Sequence, residues 1–435
     1  MDVFGIGLKA LKQIIDKKKS FHIVLESLKN EFNLNSDERK RLTSDIIGSL
    51  KHFFLLRYEV CTSFDEFEED DDEIYLLILA LFEIRYRSKT RAKFLVIEEA
   101  CRVASFMELR FNEDELKYRL QELANKSVGI SKEFTNDIYK YNSLFFNIPP
   151  FLLNKLVDDY GDKETMNILM SFQKHQVNYL SLNIKKKSEE EYLNSNEFVK
   201  DDNASYAYQY ISTSPFSKTK EAMLGYFFSQ DLSLQMMLED IEYFYGMKML
   251  HVHGITASLS SALAMRTYLE DGKIETLFTS ESRFRRGKYQ FERLGLNNAQ
   301  AYYGSLKLLK TYCEYKVYDL VFVTPPSSYL GQVRRRPDIL VTIADSDIKA
   351  MVKREKEYLE EASKYVSSGG ELVYSVQSIL LDEGKRLIED FLKKHSEYSL
   401  EKERQIYPYE FNSDGLYYAI MRKEWWIKLI CTALI

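Results

Sequence analysis

Apolar positions in the first third of the chain recur with a helical period. Val3, Ile6, Leu8, Leu11, Ile14 and Ile15 share a face, and Ser36 with Asp37 reads as the start of a further helix through Leu42 and Ile46. None of the seven prolines precedes Pro149, so nothing interrupts a helical bundle over this stretch. The longest apolar run, residues 74–82 (IYLLILALF), is too short to span a bilayer and is followed by Glu83. Residues 64–73 (FDEFEEDDDE) read as a solvated acidic loop at the start of a helix.

The pattern changes at Pro149-Pro150. A helix is expected from there to about His175, followed by a strand-like YLSLNI and a charged stretch, 186–206, that reads as a long loop. From Gly225 onward, short apolar runs alternate with helical stretches. Residues 249–253, 274–279, 317–323, 371–376 and 416–421 are the strand candidates. A helix is clearest at 351–366, where Met351, Tyr358, Leu359, Ala362, Tyr365 and Val366 share a face. Strand–helix alternation predicts an α/β, doubly wound, mostly parallel sheet behind the all-α part. The expected organisation is a helical domain over 1–144, a small α+β connector over 145–220, an α/β domain over 221–424 and an apolar tail over 425–435.

Composition narrows the chemistry. The 435 residues carry 60 Lys plus Arg against 66 Asp plus Glu, a net charge of −6, which excludes a histone-like basic protein but not a local basic face. Cys61, Cys101, Cys313 and Cys431 show neither a CxxC nor a Cys/His ligand spacing, so neither a disulfide framework nor structural zinc is expected. The amino terminus lacks the apolar core of a signal peptide, and a cytoplasmic protein without membrane spans is the expectation.

The order of several short signatures is more specific than any of these. They are residues 46–51 (IIGSLK), 148–161 (IPPFLLNKLVDDYG), Gly225 with Gln230-Asp231, residues 291–296 (FERLGL), 318–321 (YDLV), 334–339 (RRRPDI), 369–375 (GGELVYS) and 414–419 (DGLYYA). In this order and at these separations the chain resembles the RsmB-type (Sun/Fmu) 16S ribosomal-RNA cytosine-C5 methyltransferases over nearly its whole length. The helical part resembles the NusB-like RNA-binding domain those proteins carry. The resemblance implies a Rossmann-like domain, S-adenosylmethionine as cofactor and rRNA as partner.

In that family one cysteine thiolate adds to C6 of the cytosine so that C5 can take the methyl group, and a second helps remove the C5 proton; thiols suit this because part is already thiolate at neutral pH. The family places these cysteines in D-A-P-C-S-G and Y-S-T-C-S loops. Here Thr324, Ser327 and Gln377 stand for the aspartate and the two cysteines. The glycine-rich cofactor turn D-x-C-A-A-P-G-G-K-T reads from His251 through Gly254, Ala257 and Ser258 to Ser260. Phe278 replaces the acid expected on the ribose, with Glu281 nearby in the following loop, and Ser305 replaces the acid after the third strand. Cofactor binding is therefore expected to be lost along with the catalytic cysteines.

Other residues invite functional readings beside plainer ones. His251 and His253 alternate on a strand as metal ligands do, but no third ligand is evident, so no metal is expected. Cys313 reads as a spectator thiol. Two basic clusters, Arg283, Arg285, Arg286 and Lys288, and Arg334, Arg335 and Arg336, are either solvated faces or contacts to RNA phosphates; the resemblance favours RNA for the second. The expectation is a catalytically degenerate family member that retains RNA or ribosome-assembly binding. An active methyltransferase with a remodelled site and a protein-binding scaffold are the alternatives.

Overall fold

A computed structural model describes residues 2–64, 71–125, 137–186, 188–193, 197–212, 216, 219–254, 256–312 and 314–425. Part of the acidic run, Cys313, Cys431 and the tail beyond Trp425 lie outside the described residues. The chain divides into two compact units, Met1–Gln173 with Val333–Asp345, and Lys174–Gln332 with Ser346–Ile435. The passage from one to the other at Gln173 falls inside the 145–220 stretch.

The first unit is helical, as the period predicts. Its centre is the helix Asp72–Tyr86, buried all round from Glu73 to Ile84, which explains why residues 74–82 lack a polar face. Helices Val3–Ile15, Ser36–Lys51 and Lys93–Phe106 pack on it. The second of these starts one residue later than its cap: Asn35 accepts from the backbone of Asp37 and Glu38 while Glu38 reaches back, a complete capping box. The helix opened by Pro150 does not run unbroken towards His175. It spans Pro150–Phe172 and breaks at Gly161, where φ of 75° suits a residue without a Cβ.

The second unit holds two sheets. Strands β1 (Tyr179–Leu182), β2 (Phe198–Lys200), β3 (Ala207–Tyr210) and β4 (Phe227–Ser229) form an antiparallel sheet in the order β2-β3-β1-β4. The larger sheet contains β5 (Lys248–Val252), β6 (Lys273–Phe278), β7 (Ala299–Tyr303), β8 (Tyr318–Val323), β9 (Val366–Val376), β10 (Tyr398–Ile406) and β11 (Leu416–Lys423). Its order is β10-β11-β9-β8-β5-β6-β7, with only β11 antiparallel to its neighbours. The expected doubly wound Rossmann-like domain is present, with helices between its parallel strands.

The two strands of this sheet missing from the sequence reading, β7 and β10, are its two edges; β2, β3 and β4 of the smaller sheet were not among the strand candidates either. The edge strand β10 (YSLEKERQI) carries charge on exposed positions, so it lacks the apolar run that marks β5 or β8. The helix expected over 351–366 is Asp345–Ser363, and Val366 already belongs to β9.

Candidate functional site

In an open α/β sheet the crevice at the carboxyl ends of the strands, where strand order reverses, is where ligands sit. Here the reversal lies between β5 and β8. Their ends and that of β9 enclose a cavity of about 60 Å³, lined among others by His251, Ser258, Thr324, Ser327, Tyr329 and Gln377. The positions expected to carry the catalytic chemistry are therefore brought together, as are His251 and Ser258 from the cofactor turn.

Thr324 ties β8 to β5. Its hydroxyl donates to the carbonyl of His253 (3.0 Å), so it accepts from His251 Nε2–H at 2.8 Å. The other ring nitrogen, Nδ1, then accepts from Ser260 Oγ at 2.7 Å, and Ser260 accepts in turn from Thr276 Oγ1 at 2.8 Å. Thr276 sits opposite His251 in the β5/β6 register, which is what closes the chain. Burial pushes the His251 imidazole down to about 3, with His253 adding to the effect, so the ring is neutral at physiological pH.

The two histidines do not face one side as strand alternation suggested. β5 ends at Val252, and His253 takes a left-handed conformation (φ 62°) that turns its ring to the Thr324 carbonyl, with Nδ1 at 3.0 Å. It also packs edge-on against Tyr358, and burial lowers its pKa to about 4. Among the described residues no group of three His, Cys, Asp or Glu side chains could hold a metal ion.

Phe278, at the end of β6, is completely buried. Its ring lies between two backbones: a Cβ added at Gly254 would come within 2.8 Å of it and one at Gly287 within 2.4 Å. Glycine at both places lets the turn after β5 and the helix Glu281–Leu294 close on the ring. Glu281 is not in a loop but in the first turn of that helix, exposed and paired with Arg285 at 2.5 Å. Ser305 is exposed ahead of a short 3-10 turn, while Ala257 and Ser258 are buried at the start of the helix Ser258–Arg266.

At the two loops of the expected cysteines, Ser327 is 1% exposed and its Oγ finds no hydrogen-bond partner among the described residues, whereas the Gln377 carbonyl accepts from Gln332 Nε2 at 2.8 Å. Behind both loops lies a cluster that the sequence reading missed. Glu383 accepts from the backbone N–H and hydroxyl of Ser328 (2.7 and 2.5 Å) and from the hydroxyl of Ser378, so one buried carboxyl fastens the β8 loop to the β9 loop. Neither oxygen of buried Glu355 finds a donor among the described residues. Burial and then the neighbouring Glu383 push its pKa up to about 11, so it keeps its proton at neutral pH. Glu355 and Glu383 are 28 positions apart on different elements, so no local motif signals the pair.

The expected RNA contacts divide. Arg285, Arg286 and Lys288 are exposed on the helix Glu281–Leu294, beside exposed Tyr289 and half-buried Arg283. Arg334 is 4% exposed, with Arg335 and Arg336 half-buried; these three belong to the first unit.

Comparison with known proteins agrees with this architecture. The sequence profile of the family described as 16S rRNA methyltransferase RsmB/F matches residues 262–422, beginning after the turn that follows β5. "Ribosomal RNA small subunit methyltransferase B" of Proteus mirabilis is 31% identical over 144 residues, 33% of this chain and 34% of that protein. The chain thus spans about a third of that relative's length in this match. The protein of the same description from Photorhabdus laumondii is 24% identical over 440 residues, covering 97% of this chain and 98% of its own. In fold, the crystal structure of PH0851 superposes with a TM-score of 0.80 at 17% identity, covering 97% of this chain and 99% of its own. A methyltransferase homolog protein from Pyrococcus horikoshii does so with 0.56 at 18% identity, covering 68% and 100%. With a family profile matching residues 262–422 and a relative of that description similar over nearly the full length, the chain is similar to the RsmB-type 16S rRNA methyltransferases.

Proposed function

We propose that this protein no longer transfers methyl groups by the cysteine route and acts instead by binding rRNA. The relatives point to S-adenosylmethionine as the ancestral cofactor and to RNA as the substrate class. The observation that carries the reading is the space at the strand ends. A nucleoside-sized ligand occupies a pocket of roughly 300 Å³ or more, whereas the cavity here is about 60 Å³. Phe278 supports the same reading, because a buried ring stands where the family bonds the ribose and two glycine backbones close upon it. The residues present therefore do not fit S-adenosylmethionine.

The substituted loops agree. Ser327 has no acid or base among its described contacts, and the Gln377 amide is neither a nucleophile nor a base. RNA binding is supported by the exposed cations Arg285, Arg286 and Lys288 on one helix, with Tyr289 available to stack on a base. The test pairs a calorimetric titration of S-adenosylmethionine with filter binding of 16S rRNA fragments. No heat up to millimolar cofactor, together with RNA affinity that falls steeply with salt, is expected. Transfer of a labelled methyl group to those fragments would refute the proposal.

A further inference from the structure

The β7 side of the large sheet carries a charge opposite to that of the chain. Residues 281–312, from the helix Glu281–Leu294 through β7 to the short helix Leu309–Tyr312, hold seven Lys and Arg against Glu281 and Glu292, a net charge of +5 in a chain of −6. Between Arg293 and Tyr312 there is no acidic residue. Arg285, Lys288, Lys307 and Lys310 are exposed, and of these only Arg285 has a carboxylate partner among the described residues, Glu281. The opposite edge strand, β10, balances Glu401 and Glu403 with Lys402 and Arg404, so the imbalance is a property of the β7 side. The same surface exposes aromatic rings. Tyr289 follows Arg285 by one helical turn, and Tyr303 is exposed at the end of β7, its ring 6.2 Å from that of Phe284 on the helix. The turn after β7 stays close to the strand, because a Cβ added at Gly304 would come within 2.3 Å of the Tyr312 ring.

From this combination we infer that the β7 side of the sheet binds single-stranded RNA. Tyr289 and Tyr303 stack on unpaired bases, while Arg285, Lys288, Lys307 and Lys310 contact phosphates. Cations alone would suit duplex and single strand alike. Exposed rings favour the single strand, because a duplex keeps the faces of its bases stacked inside. None of these residues lines the cavity at the ends of β5, β8 and β9, so the surface works without that site. The inference rests on the proposed function in taking RNA as the partner, and adds the strand state and the stacking residues.

The test is filter binding of the full chain to a single strand of roughly 12 nucleotides of 16S rRNA sequence, and to the same strand paired with its complement, between about 50 and 200 mM salt. The single strand should bind at least about tenfold more tightly than the duplex. Tyr303→Ala should weaken single-strand binding about tenfold with the salt dependence unchanged, and Tyr303→Phe, which keeps the ring, should bind as the wild type does. Replacing Lys307 and Lys310 together by Gln should instead flatten the salt slope by about 1.4, the value for two phosphate contacts. Should Tyr303→Ala fail to fold, Tyr289→Ala on the helix surface takes its place. Equal affinity for single strand and duplex, or tyrosine variants that bind as the wild type does, overturns the inference and leaves rRNA binding as such in place. Displacement of the RNA by poly-glutamate as readily as by unlabelled RNA would assign the surface to an acidic protein and also overturn it. A wild type that binds no RNA overturns both readings. Methyl transfer to the strand would refute the proposed function, while a loss of affinity on Tyr303→Ala would leave this surface standing.

Discussion

The helical unit and the strand-end cavity both bury polar groups, and they do so in opposite ways. In the helical unit, charges neutralise one another. Fully buried Glu83 pairs with Arg41 (3.0 Å) and with Arg91, both arginines reach Glu99 at 2.7 Å, and Arg87 holds Asp45. Burial raises Glu99, but its arginine partners win and hold it below the ordinary range. Asp45 goes the other way: burial and then Glu83 push it up to about 7. At the cavity no charge is buried: a neutral imidazole and hydroxyls pass hydrogen bonds in one direction from Thr276 to the His253 carbonyl. An ion cluster is strong only while every member is present, whereas a neutral chain loses one or two bonds at a time.

Three substitutions sharpen this contrast. Glu83→Ala leaves two arginines sharing Glu99 alone and should cost the helical unit about 3 kcal/mol in urea unfolding; a loss below about 1 kcal/mol would show that solvent screens the cluster. His251→Leu leaves the Ser260 and Thr324 hydroxyls each short of one bond and should cost about 2 kcal/mol at pH 8. Its pH dependence carries a sign. The unfolded imidazole takes up a proton below about 6.5 while the folded one does not until about 3, so the wild type alone loses stability over that window as pH falls. The gap to the variant should therefore narrow on acidification, by at most about 1.4 kcal/mol per pH unit. A gap that widens would mean a charged ring in the folded state.

The smallest effect, at pH 5, is expected for Glu355→Gln, which mimics the protonated acid already present. Folding of the wild type takes up a proton here, so its stability contribution fades as pH rises from about 4.5 towards 11. Within about 1 kcal/mol of the wild type at pH 5, the variant should gain on it steadily by pH 9 in chemical unfolding. A variant that falls behind as pH rises would place an ionised Glu355 in the fold.

Much of the architecture could be read in the chain, because burial leaves a periodic mark. The helical face from Val3 to Ile15 and the runs of β5 and β8 announced themselves through apolar spacing. The edge strands β7 and β10 did not, since an edge is half solvated and its sequence resembles a loop. At the site, order along the chain brought Thr324, Ser327, Gln377 and His251 to attention. Thr276 and Glu383 went unnoticed, and Ser260 was read only as the end of the turn, because each matters through a partner that no local motif marks, with Ser328 and Glu383 55 positions apart.

The sequence by itself determined the succession of helices and strands and the residue types at each strand end, since periodicity and ordered signatures are local properties. Tertiary structure decided whether those residues meet and in what state. It made His251 a neutral relay by burying it between two hydroxyls, set Phe278 between two glycine backbones, turned His253 away from its neighbour, and left Ser327 facing a cavity of about 60 Å³. Burial, cavity size and protonation depend on what distant segments bring to the same place, and no stretch of sequence contains that alone.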